Sequence, residues 1–359
     1  MRLRGDLVRR LAASLFLGAN LVSLLLLALC CASTWVSPAL YPRVSPVGLL
    51  FPFLLSANLL FLPFWLVFKP RFVGVPLVGL LLCGGFALDY FPLRGGEGEG
   101  PVSLCVMTWN IKNLDTHLPA EQEEILMDSI AAINPDVLCI QECTGGRMVF
   151  RLYAVMDSLG YERRAFQGRA VFSRLPFLSA DTLAASSVGS NGAQVCRLQW
   201  GADTLHVLNL HLESNFINRA DRANSRQALQ SGERQQLERE GMRLWLKLAH
   251  AARYRGEQTD SVAALLDGPL QGRPVIVCGD FNDTPISYTY QQINRRLASA
   301  YRQRGRGIGV TFSERWFPVR IDHLFHSSHW QTRSVRIAAH LPGSDHYPLV
   351  VCLQKRENQ

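Results

Sequence analysis

Charge is absent from three stretches of this 359-residue chain. Residues 11–33, 47–68 and 72–88 contain no Asp, Glu, Lys or Arg. Runs that long without charge are foreign to a soluble surface. At ~1.5 Å per helical residue, the first two can cross a ~30 Å hydrocarbon core. The third is shorter and reaches residue 91 only by taking in Asp89. Packing as buried core helices suits 47–68 poorly, because that run is apolar on every face. The basic start (Arg2, Arg4, Arg9, Arg10) also fits a cleaved signal peptide. Its apolar run is too long for one, however, and two more runs follow, so a retained membrane helix is expected. Leu29 is too large for the small residue a lipoprotein cleavage site needs before Cys30.

A basic excess is also absent once those runs are set aside. The net charge is +8, from 37 basic and 29 acidic residues. Residues 1–88 hold seven of the bases (Arg2, Arg4, Arg9, Arg10, Arg43, Lys69, Arg71) and one acid (Asp6). The remaining 30 bases and 28 acids net only +2. That balance weighs against a nucleic-acid footprint. The excess instead orients the helices. The N-terminus and the Lys69-Pro70-Arg71 turn are expected in the cytoplasm, and three spans then place the rest outside. With two spans the rest would be cytoplasmic.

Paired cysteine spacing is lacking as well. Of nine cysteines, Cys30, Cys31 and Cys83 fall in the apolar runs. Cys105, Cys139, Cys278 and Cys352 fall in strand-like runs, where a free thiol acts as a small hydrophobe. Cys139 and Cys143 would lie ~13 Å apart on a strand, too far to bridge. So many free thiols fit awkwardly with an external domain. No repeat, long low-complexity tract or apolar membrane-dipping loop is evident.

What is present divides the chain into an anchor over 1–92 with spans at 11–33, 47–68 and 72–91, a glycine-rich linker over 93–101, and a domain over 102–355. The linker reads as flexible by composition. In the domain, strands are expected over 104–111, 137–141, 170–173, 194–200, 205–212, 275–278, 320–325, 334–339 and 348–353. Helices are expected over 120–133, 149–159 and 221–255, the last continuing through 261–266. Uniformly apolar strands imply sheets covered on both faces, hence a layered α/β sandwich.

Five places where an apolar strand reaches the surface carry polar clusters: Thr108-Trp109-Asn110, Gln141-Glu142, Asn209-Leu210-His211-Leu212-Glu213, Gly279-Asp280-Phe281-Asn282-Asp283, and the pair Arg320-Ile321-Asp322-His323 and Ser344-Asp345-His346-Tyr347-Pro348. Rigid scaffolds present functional groups at such ends. Glu142 follows an apolar run with no neighbouring Lys, which suits a metal ligand better than a solvated strand end. Asp280 and Asn282, two apart, face one way if extended, and Asp283 is better placed to cap a following helix. His346 has the ordinary acidity of a base at neutral pH, if a carboxylate orients it. His211 alone on a strand would more often be structural.

In this order the strings resemble the endonuclease/exonuclease/phosphatase superfamily over about residues 102–353. The resemblance implies a four-layer α/β sandwich of two mixed sheets flanked by helices, with an active site at one sheet edge. It implies a hydrolase acting on phosphodiester or phosphomonoester bonds with Mg²⁺ (or Mn²⁺). Carried over by position, Glu142 binds the metal beside Asn110, with Asp345 as a second metal-proximal carboxylate. Asp280 orients or deprotonates water, Asn282 and His211 contact the phosphate, and Asp322 orients His346. Many relatives carry Tyr where this chain has His323. Arg219, Arg222 and Arg226 recur on one helical face and could meet phosphates. The substrate stays open among nucleic acid, a nucleotide and a phospholipid head group, with the lipid bilayer as the one other partner. A catalytically silent interaction protein on the same fold would show gaps in the set, and none is seen.

Overall fold

The computed structural model describes residues 2–114, 117–183, 191–313 and 318–356, without the side chains of residues 2–9 and of Arg219. Three apolar helices come first: α1 (Arg2–Ser33), α2 (Phe51–Phe68, entered by a 3-10 stretch at Pro42–Leu50) and α3 (Gly74–Tyr90). All three are long and apolar enough to cross a membrane, over Arg10–Ser33, Pro42–Phe68 and Pro70–Tyr90. Their surface is inverted relative to a soluble bundle. Leu15, Leu25, Leu60, Leu81 and Leu82 face outward, while Asn20 and Asn58 are buried. Asn58 donates to Ser23 Oγ (2.8 Å), and Trp65 Nε1 donates to Asn20 Oδ1 (2.9 Å). Polar groups buried between helices and satisfied there are what a lipid-facing bundle requires.

The rest is a four-layer sandwich. One sheet runs β11-β12-β1-β2-β4-β3 and the other β5-β6-β7-β8-β10-β9. The first comprises β1 (Leu104–Asn110), β2 (Val137–Gln141), β3 (Glu162–Phe166), β4 (Arg169–Ser173), β11 (Trp330–Ile337) and β12 (Leu349–Lys355). The second comprises β5 (Phe177–Leu183), β6 (Gly192–Trp200), β7 (Asp203–His211), β8 (Val275–Asp280), β9 (Ala298–Ser299) and β10 (Asp322–His326). Each sheet holds one parallel pair, β1–β2 and β7–β8, among antiparallel neighbours. Between the sheets pack Val106, Val137, Cys139 and Val171 against Val207, Ile276, Cys278 and Leu324. Helices α4 (Ala120–Ile133) and α5 (Arg147–Ser158) cover the outer face of the first sheet, and α7 (Arg234–Asp267) and α8 (Tyr288–Asn294) that of the second. Helices α6 (Arg219–Ser231) and α9 (Ala300–Arg304) complete the set.

Three expectations are corrected. The long helix over 221–255 is two helices, broken where Gly232 takes a left-handed φ of 66°. The linker is not a free tether, because its glycines hydrogen-bond along the domain: Gly95 N to Gly305 O (3.0 Å), Gly98 N to Arg333 O (2.8 Å), and Arg333 Nη2 to Gly100 O (2.8 Å). Cys105 and Cys352 form a disulfide. They stand opposite each other on antiparallel β1 and β12 with Cα atoms 4.1 Å apart. Their 247-residue separation hides in sequence what the sheet order brings together.

The apolar helical segment also packs on the domain. Arg295 stacks on the Trp35 ring at 3.4 Å, and Pro38 lies against Gly256 of α7. A Cβ on Gly48 would sit 2.0 Å from Ile286 O, so only glycine allows that contact.

Candidate active site

The polar clusters meet where β1, β2, β7, β8 and β10 end or begin. Register explains why. Asn110 pairs with Gln141 across β1–β2, His211 with Asp280 across β7–β8, and Asp322 with Asp280 across β10–β8. A polar bridge ties the sheets together there. Gln141 Nε2 donates to Asn209 Oδ1 (2.7 Å), and Asn209 Nδ2 donates to Ile140 O (3.1 Å), all of it buried. At Gly279, φ is 136° and a Cβ would lie 2.0 Å from Leu210 O. A glycine is therefore required to bring β8 against β7 one residue before Asp280.

Asp280 is the hub. Its Oδ2 accepts from Asn110 Nδ2 at 2.9 Å and stands 3.9 Å from His211 Nε2 and 3.8 Å from His346 Nε2. Its Oδ1 accepts from Asn282 N (2.8 Å). Asn110 Nδ2 also donates to Glu142 Oε1 (2.8 Å), and His211 Nε2 lies 3.6 Å from that oxygen. His346 Nδ1 contacts Asp322 Oδ2 at 2.9 Å. Thr311 Oγ1 accepts from the amides of Ile321 and Asp322 at 3.0 and 3.1 Å and so fixes the start of β10. Glu142 and Asn282 hold φ of 51° and 52°. Such strained backbone persists where surrounding contacts over-determine it.

The electrostatics divide the two histidines. Burial holds His211 below its ordinary value, against the pull of Asp280 and Glu142. Burial also works to depress His346, but Asp322 and Asp280 outweigh it and raise the imidazole to about 10. Burial raises Asp280, with His346 opposing. The site thus pairs a neutral His211 with a charged His346 across one carboxylate.

Of the residues expected from sequence, Asn110, Glu142, His211, Asp280, Asn282, Asp322 and His346 converge. Asp345 borders the cluster without joining it, its carboxylate paired with Lys112. Asn110 and Asn282 direct their amide nitrogens at Asp280 rather than outward, Asn282 also donating to Leu212 O (3.0 Å). His323 is buried away from the cluster, with Nε2 on Asp283 O (2.9 Å). Arg222 and Arg226 lie exposed on α6, and the Arg219 side chain lies outside the described residues. Sequence reasoning gave no role to Thr311, Gln141 or Asn209. A buried polar residue one or two places before a functional strand end would have been the signal for the last two.

Two groups offer metal-binding atoms within 4.8 Å of one another: Glu142, His211 and Asp280, and Asp280, Asp322 and His346. Both ring nitrogens of His211 and Oδ1 of Asp322 are buried with no hydrogen-bond partner among the described residues. Carboxylate oxygens with partnerless buried atoms beside them suit a divalent cation. A cleft of about 540 Å³ opens next to Glu142, lined by Cys143, Thr144 and the β3–β4 turn.

The Endonuclease/Exonuclease/phosphatase family profile matches residues 107–346. The chain belongs to this family. Its members are hydrolases of phosphoester bonds that typically use divalent metals. A second profile, a domain of unknown function, matches residues 13–90. Nocturnin of Xenopus laevis is 25% identical over 241 residues, 60% of this chain and 58% of that protein, so the chain spans little more than half of that relative. The human Nocturnin catalytic domain with bound sulfate has the same fold, with 22% identity, a TM-score of 0.50, and coverage of 70% of this chain and 94% of that one. An endonuclease/exonuclease/phosphatase from Bacteroides vulgatus gives 16% identity and a TM-score of 0.52, with 70% and 99% coverage.

Proposed function

We propose that the chain is a membrane-anchored, divalent-metal-dependent phosphoesterase that uses water as its nucleophile. The observation that carries this reading is the buried line His211–Asp280–His346–Asp322 beside Glu142. A cation, Mg²⁺ or Mn²⁺, held by Glu142 and Asp280 would draw charge from the phosphoryl oxygens. Neutral His211 offers an N–H to a phosphoryl oxygen without repelling the metal. Asp280, backed by His346 and Asp322, takes the proton from water, and no covalent bond to the protein is needed. Asn110 and Asn282 keep Asp280 aimed, and Asp345 with Lys112 borders the site.

The inverted bundle supports anchoring, and the Cys105–Cys352 disulfide supports a domain outside the cytoplasm, where such bonds persist. One observation favours a phospholipid head group as the ester. The loop before α6 exposes Phe216, and helices α6 and α7 expose Leu229, Leu237, Met242 and Leu246, among basic residues. At the base of this hairpin Asn215 Nδ2 donates to Asn282 O (3.4 Å), and α7 packs on the anchor at Pro38. The hairpin therefore links the site's rim to the membrane segment.

The test is turnover by the full chain in detergent or nanodiscs, with bis-p-nitrophenyl phosphate, plasmid DNA, nucleotides, sphingomyelin and inositol phosphates. Hydrolysis abolished by EDTA and restored by Mg²⁺ or Mn²⁺ is expected. No turnover of any substrate with either metal would mean that the fold is catalytically silent here.

A further inference from the structure

Asp89 is an acid at the domain end of an apolar helix, and it is buried. Its carboxylate accepts from Gln291 Nε2 (2.8 Å), Asn294 Nδ2 (3.3 Å) and Arg302 Nη1 (2.5 Å). Its backbone carbonyl accepts from Arg320 Nη2. These partners lead directly to the candidate site. Gln291 Nε2 also donates to Pro285 O (3.0 Å), in the loop that leaves Asp280 and Asn282. Arg320 is two residues before Asp322 and is fully buried. Its guanidinium lies 4.0 Å over the Tyr301 ring, and its Nη1 donates to Ile308 O. Ile286, from the same loop as Pro285, packs in the anchor's own apolar cluster with Phe51 and Tyr90.

We infer that Asp89 and Arg320 are positioning residues: the end of the third apolar helix clamps the two strands that carry Asp280 and Asp322. A tether would need no such contacts. A buried carboxylate with three donors, and a buried arginine on the same residue's carbonyl, cost more to bury than a plain apolar seam of equal size. They are directional, however, and two strands bearing facing carboxylates need directional support. Misplacement of a reacting group by about 1 Å can cost ~10²-fold in rate. The inference rests on the phosphoesterase reading for its rate measurement only.

The full chain in nanodiscs supplies the test. With Mg²⁺ and bis-p-nitrophenyl phosphate, Asp89→Ala and Arg320→Lys are each expected to lower kcat about tenfold or more. KM should stay unchanged, the pH–rate profile should shift, and far-UV dichroism should remain that of the parent. Asp89→Asn keeps acceptor capacity for Gln291 and Arg302 and is expected to recover part of the loss. A further variant carries a protease site at Gly96, where an added Cβ would meet no atom of the described residues within 4 Å. After cleavage the domain should stay bound to the anchor at full kcat, and Asp89→Ala should release it. Variants with the parent's kcat and pH profile overturn the inference, as does a cleaved domain that dissociates and keeps full kcat. If the parent turns over nothing, the phosphoesterase reading fails. Retention or release of the cleaved domain then decides the clamp alone.

Discussion

At the scale of single residues, the site depends on which groups are left charged when buried. His346 is held as an imidazolium by two carboxylates, so removing one should change its acidity as well as its aim. Asp322→Asn is expected to lower kcat by about 10²–10⁴-fold and to bring the His346 titration down from about 10 toward its ordinary value. NMR titration of the ring alongside the rate checks both. Two other histidines are buried neutral. Burial lowers His323 to about 3 and His326 to about 4. Their folded values lie below the ~6.5 of an unfolded chain, so protonation favours unfolding. The stability they contribute is complete above ~6.5 and is lost as the pH falls toward 4 and then 3. Thermal melting from pH 7 to pH 4 should show a falling midpoint. His326→Gln, which does not titrate, should make that fall shallower. Sequence strings exposed Asp280, Asp322 and His346 as candidates because each borders an apolar strand, Asp280 at the end of one and Asp322 and His346 at or before the start of one. They did not expose which way Asn110 points, because that depends on a carboxylate 170 residues away, nor that Asn282 turns back on Asp280.

At the scale of elements, strands that lie deep in the sheets were legible as apolar runs. Val137–Gln141 and Val275–Asp280 are buried at every position. Two edge strands were not. Glu162–Phe166 and Phe177–Leu183 carry exposed, charged side chains, as edges do when they must not pair with another chain. The break between α6 and α7 turned on Gly232, one glycine within a polar helical pattern. The bridge between the sheets is the element-scale feature with the clearest energetic consequence. Asn209→Ala leaves Gln141 Nε2 without its shortest bond in a buried position. It should cost about 1–3 kcal/mol, measurable by denaturant unfolding. Gly279→Ala should cost more, because the added methyl meets Leu210 O and the residue's φ is 136°. Expression of folded protein should fall sharply.

At the scale of the molecule, the charge pattern of the apolar bundle and its docking agree on a direction. The connection between α1 and α2 touches α7 at Pro38 and the β8–α8 loop at Gly48, and α3 ends on the domain at Asp89. Those two points share one end of the bundle. The basic Lys69-Pro70-Arg71 turn joins α2 to α3 at the other end. A domain docked at the end away from the basic turn is the arrangement the positive-inside rule gives for three spans with a cytoplasmic N-terminus. The third apolar helix, the shortest of the three runs, is held against the domain by the partners of its one acid, which neither its length nor its composition disclosed. On this reading the domain folds in an oxidising compartment, and Cys105–Cys352 is intact in the cell. A reporter active only outside the cytoplasm should give signal when fused after Arg94, and one inserted at Lys69 should not. Alkylation of intact cells, followed by reduction and a second label, should mark Cys105 and Cys352 only in the second step. A domain reporting from the cytoplasm with both thiols labelled in the first step would remove one span and turn the basic turn outward.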